Sequence, residues 1–128
     1  MRIKIRPSDK WYSKYIREKA DNICARCHKE AESIQNSHFW GRGNESTRFN
    51  DDNCDALCFK CHQDLGANPG DFRDWKLKQL GTRRYTILEL LKNTYKKRDD
   101  KLDLIYAKGL YENLMKEKYG KAYTEKNN

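Results

Sequence analysis

Two cysteine pairs constrain this chain more than any other feature. Cys24 and Cys27 form one CxxC, Cys58 and Cys61 form a second, and residues 28–57 lie between them. Each pair turns two thiolates toward one point, and two such knuckles complete the tetrahedral sulfur shell that zinc prefers. A thioredoxin-type redox pair works as a single CxxC in a βαβ setting, which the flanking residues do not supply. A shell of four thiolates leaves no open coordination position, so this zinc is expected to hold the fold and not to catalyse. Cys54 is then surplus and reads as a small buried residue. His28 reads as a solvent-facing or capping residue beside its knuckle.

The rest of the composition fits one basic domain. The chain has 128 residues, with 27 Lys plus Arg against 19 Asp plus Glu and a net charge of +8. That length carries only a modest core, which a metal staple would reinforce. The basic residues recur from Arg2 to Lys126, a balance that favours a polyanionic partner, nucleic acid first. No stretch approaches the ~20 apolar residues of a membrane span, and MRIKIRPSDKW has no signal-like apolar run. A cytoplasmic location with reduced cysteines, and no membrane partner, is the expectation.

Along the chain, Tyr12, Ile16, Ala20 and Ile23 recur at helical spacing after Pro7, predicting an amphipathic helix that delivers the chain to Cys24. SIQNSHFW and CDAL read as short strands around a loop rich in Gly, Asn and Ser, and a brief helix runs from Phe59 to Gly66. Asp71 is the expected N-cap of a further helix, with Phe72, Trp75 and Leu80 buried and Gly81 as its terminator. Tyr85, Leu88, Leu91 and Tyr95 form one later stripe, and Leu102, Tyr106, Leu110 and Leu114 another, separated by KKRDDK. The last residues, KAYTEKNN, are expected to fray.

A simple zinc ribbon needs only ~15–20 residues between its pairs, so this spacer has room for something else. It holds His38 and Asn53, and His62 follows the second pair. With the stretch SHFWGRGNESTRFNDDNCDALCFKCH, this series resembles the HNH endonucleases, in the version whose hairpin is stapled by a four-cysteine zinc. It looks closest to phage-encoded members, including NinG-like recombination endonucleases. The resemblance covers about residues 8–81 and is densest from Ser37 to His62.

The resemblance implies an α+β fold: a small ββα-metal (His-Me finger) hairpin-helix core at about residues 33–66, stapled by zinc and flanked by an N-terminal helix and a C-terminal helical region. Residues 1–81 would form the nuclease domain and 82–128 a basic helical extension packed on it. It implies a metal-dependent endonuclease that hydrolyses DNA, duplex or branched, in the host cytoplasm, with phage recombination or DNA processing as its setting. His38 would be the general base, Asn53 would orient it through a side-chain amide hydrogen bond, and His62 would bind a catalytic magnesium or manganese ion. Ser37 stands where many relatives carry an aspartate ligand, and a hydroxyl is a weak ligand for a hard cation. Arg42 and Arg48 are loop guanidinium groups suited to gripping phosphate. Asp51, Asp52 and Asp55 read as turn and capping residues. The rival reading is a zinc-stabilised nucleic-acid-binding module without catalysis. The helical extension suits a homodimer contact, core packing or DNA contact equally.

Overall fold

The computed structural model describes residues 4–120. Helix α1 (Pro7–Lys19) opens on a proline, whose fixed φ suits the first helical position. The Asp9 carboxylate accepts the Arg6 backbone N–H at 2.8 Å and closes that end. The helix stops short of the expected Cys24 because Asp21 and Asn22 turn left-handed, at φ 53° and 57°. Both residue types tolerate that region, and Ile23 is left exposed.

Strands β1 (Ile34–His38) and β2 (Cys54–Cys58) form an antiparallel hairpin, preceded at β2 by one 3₁₀ turn, Asp51–Asn53. The register pairs Ser37 with Asp55 and His38 with Cys54, so adjacent residues 37 and 38 face opposite sides of the ribbon. Helix α2 (Phe59–Ala67) starts directly from β2, and α1 and α2 both pack on the hairpin. The core joins Tyr12, Tyr15 and Ile16 of α1 to Ile34, Ala56 and Leu57 of the hairpin and Leu65 of α2.

Helix α3 (Pro69–Lys92) begins after Asn68, so Asp71 lies in its first turn and is not its cap. Gly81 breaks it, as its position implied, with φ 79° and ψ 165°, a backbone that a side chain would strain. The helix then resumes instead of ending. Of the expected stripe behind the break only Leu88 is buried, and Tyr95 is 88% exposed.

Helix α4 (Asp100–Tyr119) is capped by Asp99, whose carboxylate accepts the Leu102 N–H at 3.0 Å. It lies along α1, so the C-terminal region packs on the same unit. Its buried residues are Asp103 and Ala107, flanked by Leu110, Tyr111 and Leu114, whereas Leu102 and Tyr106 are exposed. The packed face is thus turned by one residue in its first half, where small Ala107 meets α1 closely. Trp11 and Tyr111 rings lie 5.5 Å apart, and Lys118 bonds Glu18 and Asp21 at 3.0 and 2.6 Å. Residues 121–128, expected to fray, lie outside the described residues. Among the described residues no helix is long and apolar enough to cross a membrane.

Candidate active site and metal centre

The first knuckle is a tight turn held by its own backbone. Cys24 N–H donates to Lys29 at 3.0 Å, His28 N–H donates to Cys24 at 2.9 Å, and His28 adopts φ 61°. His28 is exposed and takes no place among the sulfurs. Ala25 N–H donates to Ala56 at 2.8 Å, stitching this turn to β2. The second knuckle is where β2 passes into α2. Together they bring the Sγ atoms of Cys24, Cys27, Cys58 and Cys61 within 4.8 Å of one another.

Those positions fit zinc. Four sulfurs about 2.3 Å from a central ion stand roughly 3.8 Å apart in a tetrahedron, and Cys27 and Cys58 Sγ are 3.9 Å apart. Burial alone would push the Cys24 thiol up, but the backbone N–H groups of Cys27, Cys58 and Arg26 hold it at about 6. Burial and the neighbouring sulfurs push Cys61 up to about 12. Four close thiols cannot all ionise without a cation, which is the condition a zinc ion satisfies. Cys54 is buried against the Arg48 carbonyl and stands apart from this quartet.

His38 closes β1. Its Nε2 lies 3.1 Å from the Arg48 carbonyl, which can only accept, so Nε2 carries the proton and Nδ1 keeps a lone pair. Burial, followed by the Arg42 charge, lowers this imidazole to about 4. It is therefore neutral at physiological pH, the form a base requires.

Asn53 does not orient His38 by a direct bond. Its Oδ1 accepts the Trp40 N–H at 2.8 Å, and its Nδ2 donates to the carbonyls of Trp40 at 2.9 Å and Thr47 at 3.1 Å. With no exposed surface, Asn53 fixes the loop on both sides of its neck. It thereby positions His38 through the backbone, since Phe39 N–H also donates to the Asn53 carbonyl at 2.8 Å.

His62 projects from the first turns of α2. Its Nδ1 bonds the side-chain oxygen of Gln35, a residue sequence reasoning passed over, which leaves Nε2 as the lone pair. Burial, followed by the Arg42 charge, lowers His62 as well. Gln35 and Ser37 share one face of β1, and Ser37 is 1% exposed with its hydroxyl unpaired. Among the described residues, the unpaired buried side-chain atoms are Asn36 Oδ1, Ser37 Oγ, Trp40 Nε1 and Arg42 Nε, all on β1 and the loop that follows it. Orphaned polar atoms are costly unless a ligand or water meets them, and these four lie within the seven residues from Asn36 to Arg42 that also contain His38.

The two loop arginines part company. Arg48 is 1% exposed: its Nε and one terminal nitrogen grip Asp9 at 2.9 and 2.6 Å, and the rest of its guanidinium serves the carbonyls of Arg42 and Lys4. It is a buried strut and offers nothing to a phosphate. Arg42 keeps a guanidinium whose charge reaches both imidazoles. The aspartates tie elements together. Asp51 accepts Tyr12, Tyr15 and Lys19 of α1, Asp52 pairs with Arg84, and Asp55 holds buried Lys76 at 2.6 Å with Gln79 at 2.7 Å.

A family model described as Bacteriophage Lambda NinG protein matches residues 5–119, so the likeness runs well past Gly81 and includes the helical extension. No curated protein and no solved structure matches the chain.

Proposed function

The chain belongs to the bacteriophage Lambda NinG protein family, and on that premise we propose that it is a metal-dependent HNH endonuclease hydrolysing DNA phosphodiester bonds in the host cytoplasm during phage recombination. The observation that carries the reading is the pair of leftover ring nitrogens. Nδ1 of His38 and Nε2 of His62 are each freed by a bond on the opposite nitrogen, and both rings lie under the charge of Arg42.

In this reading, His38 Nδ1 takes a proton from water as the water oxygen attacks phosphorus. The P–O3′ bond breaks and the departing 3′-oxygen takes a proton from solvent water, leaving a 5′-phosphate and a 3′-hydroxyl, and His38 later returns its proton to solvent. Arg42 binds the phosphate, whose negative charge offsets the guanidinium and relieves its share of the lowering of His38, the larger share being due to burial. Asn53 keeps the base in place through the loop, and the Gln35 bond to His62 Nδ1 keeps the Nε2 lone pair available.

His62 Nε2 and Ser37 Oγ would hold a magnesium or manganese ion, which supplies charge stabilisation on the leaving oxygen when bound. The donor set fits in part. Ser37 has an unpaired buried oxygen, but it stands where many relatives carry an aspartate, and the carboxylate opposite it, Asp55, is committed to Lys76 and Gln79, so water and substrate phosphate must complete the shell.

That missing carboxylate favours one second reading, a zinc-stabilised DNA-binding module without catalysis. Supercoiled plasmid separates the two. A nuclease converts it to nicked or linear forms only when magnesium or manganese is added, whereas a binding module retards it and leaves it intact under every condition.

A further inference from the structure

A cleft of about 360 Å³, lined in part by the two residues that follow His38 in the chain, is not used by the hydrolytic reading. Phe39, Trp40, Phe72, Tyr85, Arg73 and Gly70 line it. Phe39 is the hub: its ring centroid lies 4.9 Å from Trp40, 5.1 Å from Phe72 and 5.9 Å from Tyr85, all in steep edge-on contact. Such a cluster would ordinarily be core. Here Phe39, Trp40 and Tyr85 are only half-buried, so the rings wall an open cleft.

Three features identify the occupant. The rim is cationic, with exposed Arg73 in the lining and Lys92 Nζ 4.6 Å over the Trp40 ring. Among the described residues no acidic side chain lines the cleft, although the charges of Glu89 and Asp74 reach Tyr85 along with that of Arg73. The wall is also continuous with the site: Phe39 and Trp40 follow His38 directly, at about 3.8 Å per residue of chain. Asn53 clamps Trp40 by both backbone groups, so one residue fixes the base and the wall together. Aromatic faces next to a cationic path are the arrangement that binds unstacked bases of a polyanionic strand, and they do so with little dependence on sequence.

We propose that this cleft binds one unpaired, unstacked nucleobase of the DNA strand whose phosphate lies at His38, so that the protein prefers DNA containing unpaired bases to continuous duplex. The inference rests on the nuclease reading for the position of the strand. The cleft selects by shape and stacking, because a base inside a duplex has no free face to offer.

The test uses the full, zinc-loaded chain without added magnesium or manganese, so that binding is read apart from hydrolysis. Its probes are a duplex with a short single-strand bulge carrying 5-iodouracil and the same duplex fully paired. The bulged DNA should bind about tenfold or more tightly, the scale of one stacked base. Irradiation should crosslink the iodouracil to Phe39, Trp40 or Tyr85. Tyr85→Ala and Trp40→Ala should each remove most of the preference, and Trp40→Phe, which keeps a ring, should retain most of it. Tyr85→Ala and Trp40→Phe keep the test decisive if Trp40→Ala does not fold. Equal affinity for the two duplexes, or crosslinks mapped outside the cleft, would overturn the proposal. If divalent ions support hydrolysis while the affinities are equal, the cleft inference alone falls. If the preference stands and no ion supports hydrolysis, the nuclease reading alone falls.

Discussion

The side chain of Asn53 grips Trp40 at both of its backbone groups, accepting its N–H at 2.8 Å and donating to its carbonyl at 2.9 Å. This amide closes the loop whose ends carry His38 and the start of β2, so the position of His38 depends on a side chain whose hydrogen bonds go to Trp40 and Thr47 instead. Asn53→Asp keeps the acceptor and loses both donors, leaving the Trp40 and Thr47 carbonyls unpaired inside the protein. We expect a loss of about 1–3 kcal/mol in urea unfolding, together with faster amide exchange at residues 39–47.

His38 should titrate near pH 4 in the folded, DNA-free protein, against 6.5 for a free imidazole, because burial and then Arg42 disfavour its charged form. The sign follows directly. The folded state binds this proton more weakly than the unfolded chain does, so the His38 contribution to stability is complete above about pH 6.5 and fades as pH falls through about 4. Histidine Cε1–H chemical shifts measured by NMR between pH 3 and 8 check this; a midpoint near 6.5 would contradict it.

How much of this was open to reading depends on the range of the interactions. The cysteine quartet was legible because a CxxC fixes its own geometry, and Gly81 because a backbone break needs no distant partner. The strands and α2 also followed from local pattern. The Asn53 clamp, the Gln35–His62 bond and the Arg48–Asp9 pair join positions 13, 27 and 39 residues apart. No local pattern encodes them. Arg48 looked like a phosphate grip because loop arginines usually face solvent. It is buried because Asp9, needed at the start of α1, requires a counter-charge. The α4 face was misjudged in its first turns because polar Asp103 packs inward while Leu102 does not.

That buried pair yields a separate expectation. Burial pushes Asp9 up, but the Arg48 bonds, the Arg6 N–H and the Arg42 charge together hold it below its ordinary value. Asp9→Asn leaves a guanidinium buried without its counter-ion, which costs about 3–5 kcal/mol of stability. Thermal or urea unfolding measures that loss. In contrast, Arg42→Ala should weaken DNA binding and flatten its dependence on salt by about one phosphate contact, without comparable destabilisation.

The thiolate cluster should hold one zinc per chain by elemental analysis. Cobalt exchange should give the absorption of a tetrahedral thiolate site. Cys58→Ser should lose the metal and unfold the hairpin, since β2 ends and α2 begins at that knuckle. Cys54→Ala should keep full metal content, because Cys54 lies against the Arg48 carbonyl and not among the four sulfurs.

The central claim is that His38 is the base of a DNA-cutting site, and single-turnover cleavage by His38→Ala tests it most directly. The comparison uses wild type and variant at matched zinc content and DNA saturation in the presence of magnesium or manganese. Loss of a positioned general base predicts a fall of about 10²–10⁴ in the cleavage rate with DNA affinity retained. A variant that cuts within a few-fold of wild type would contradict the account.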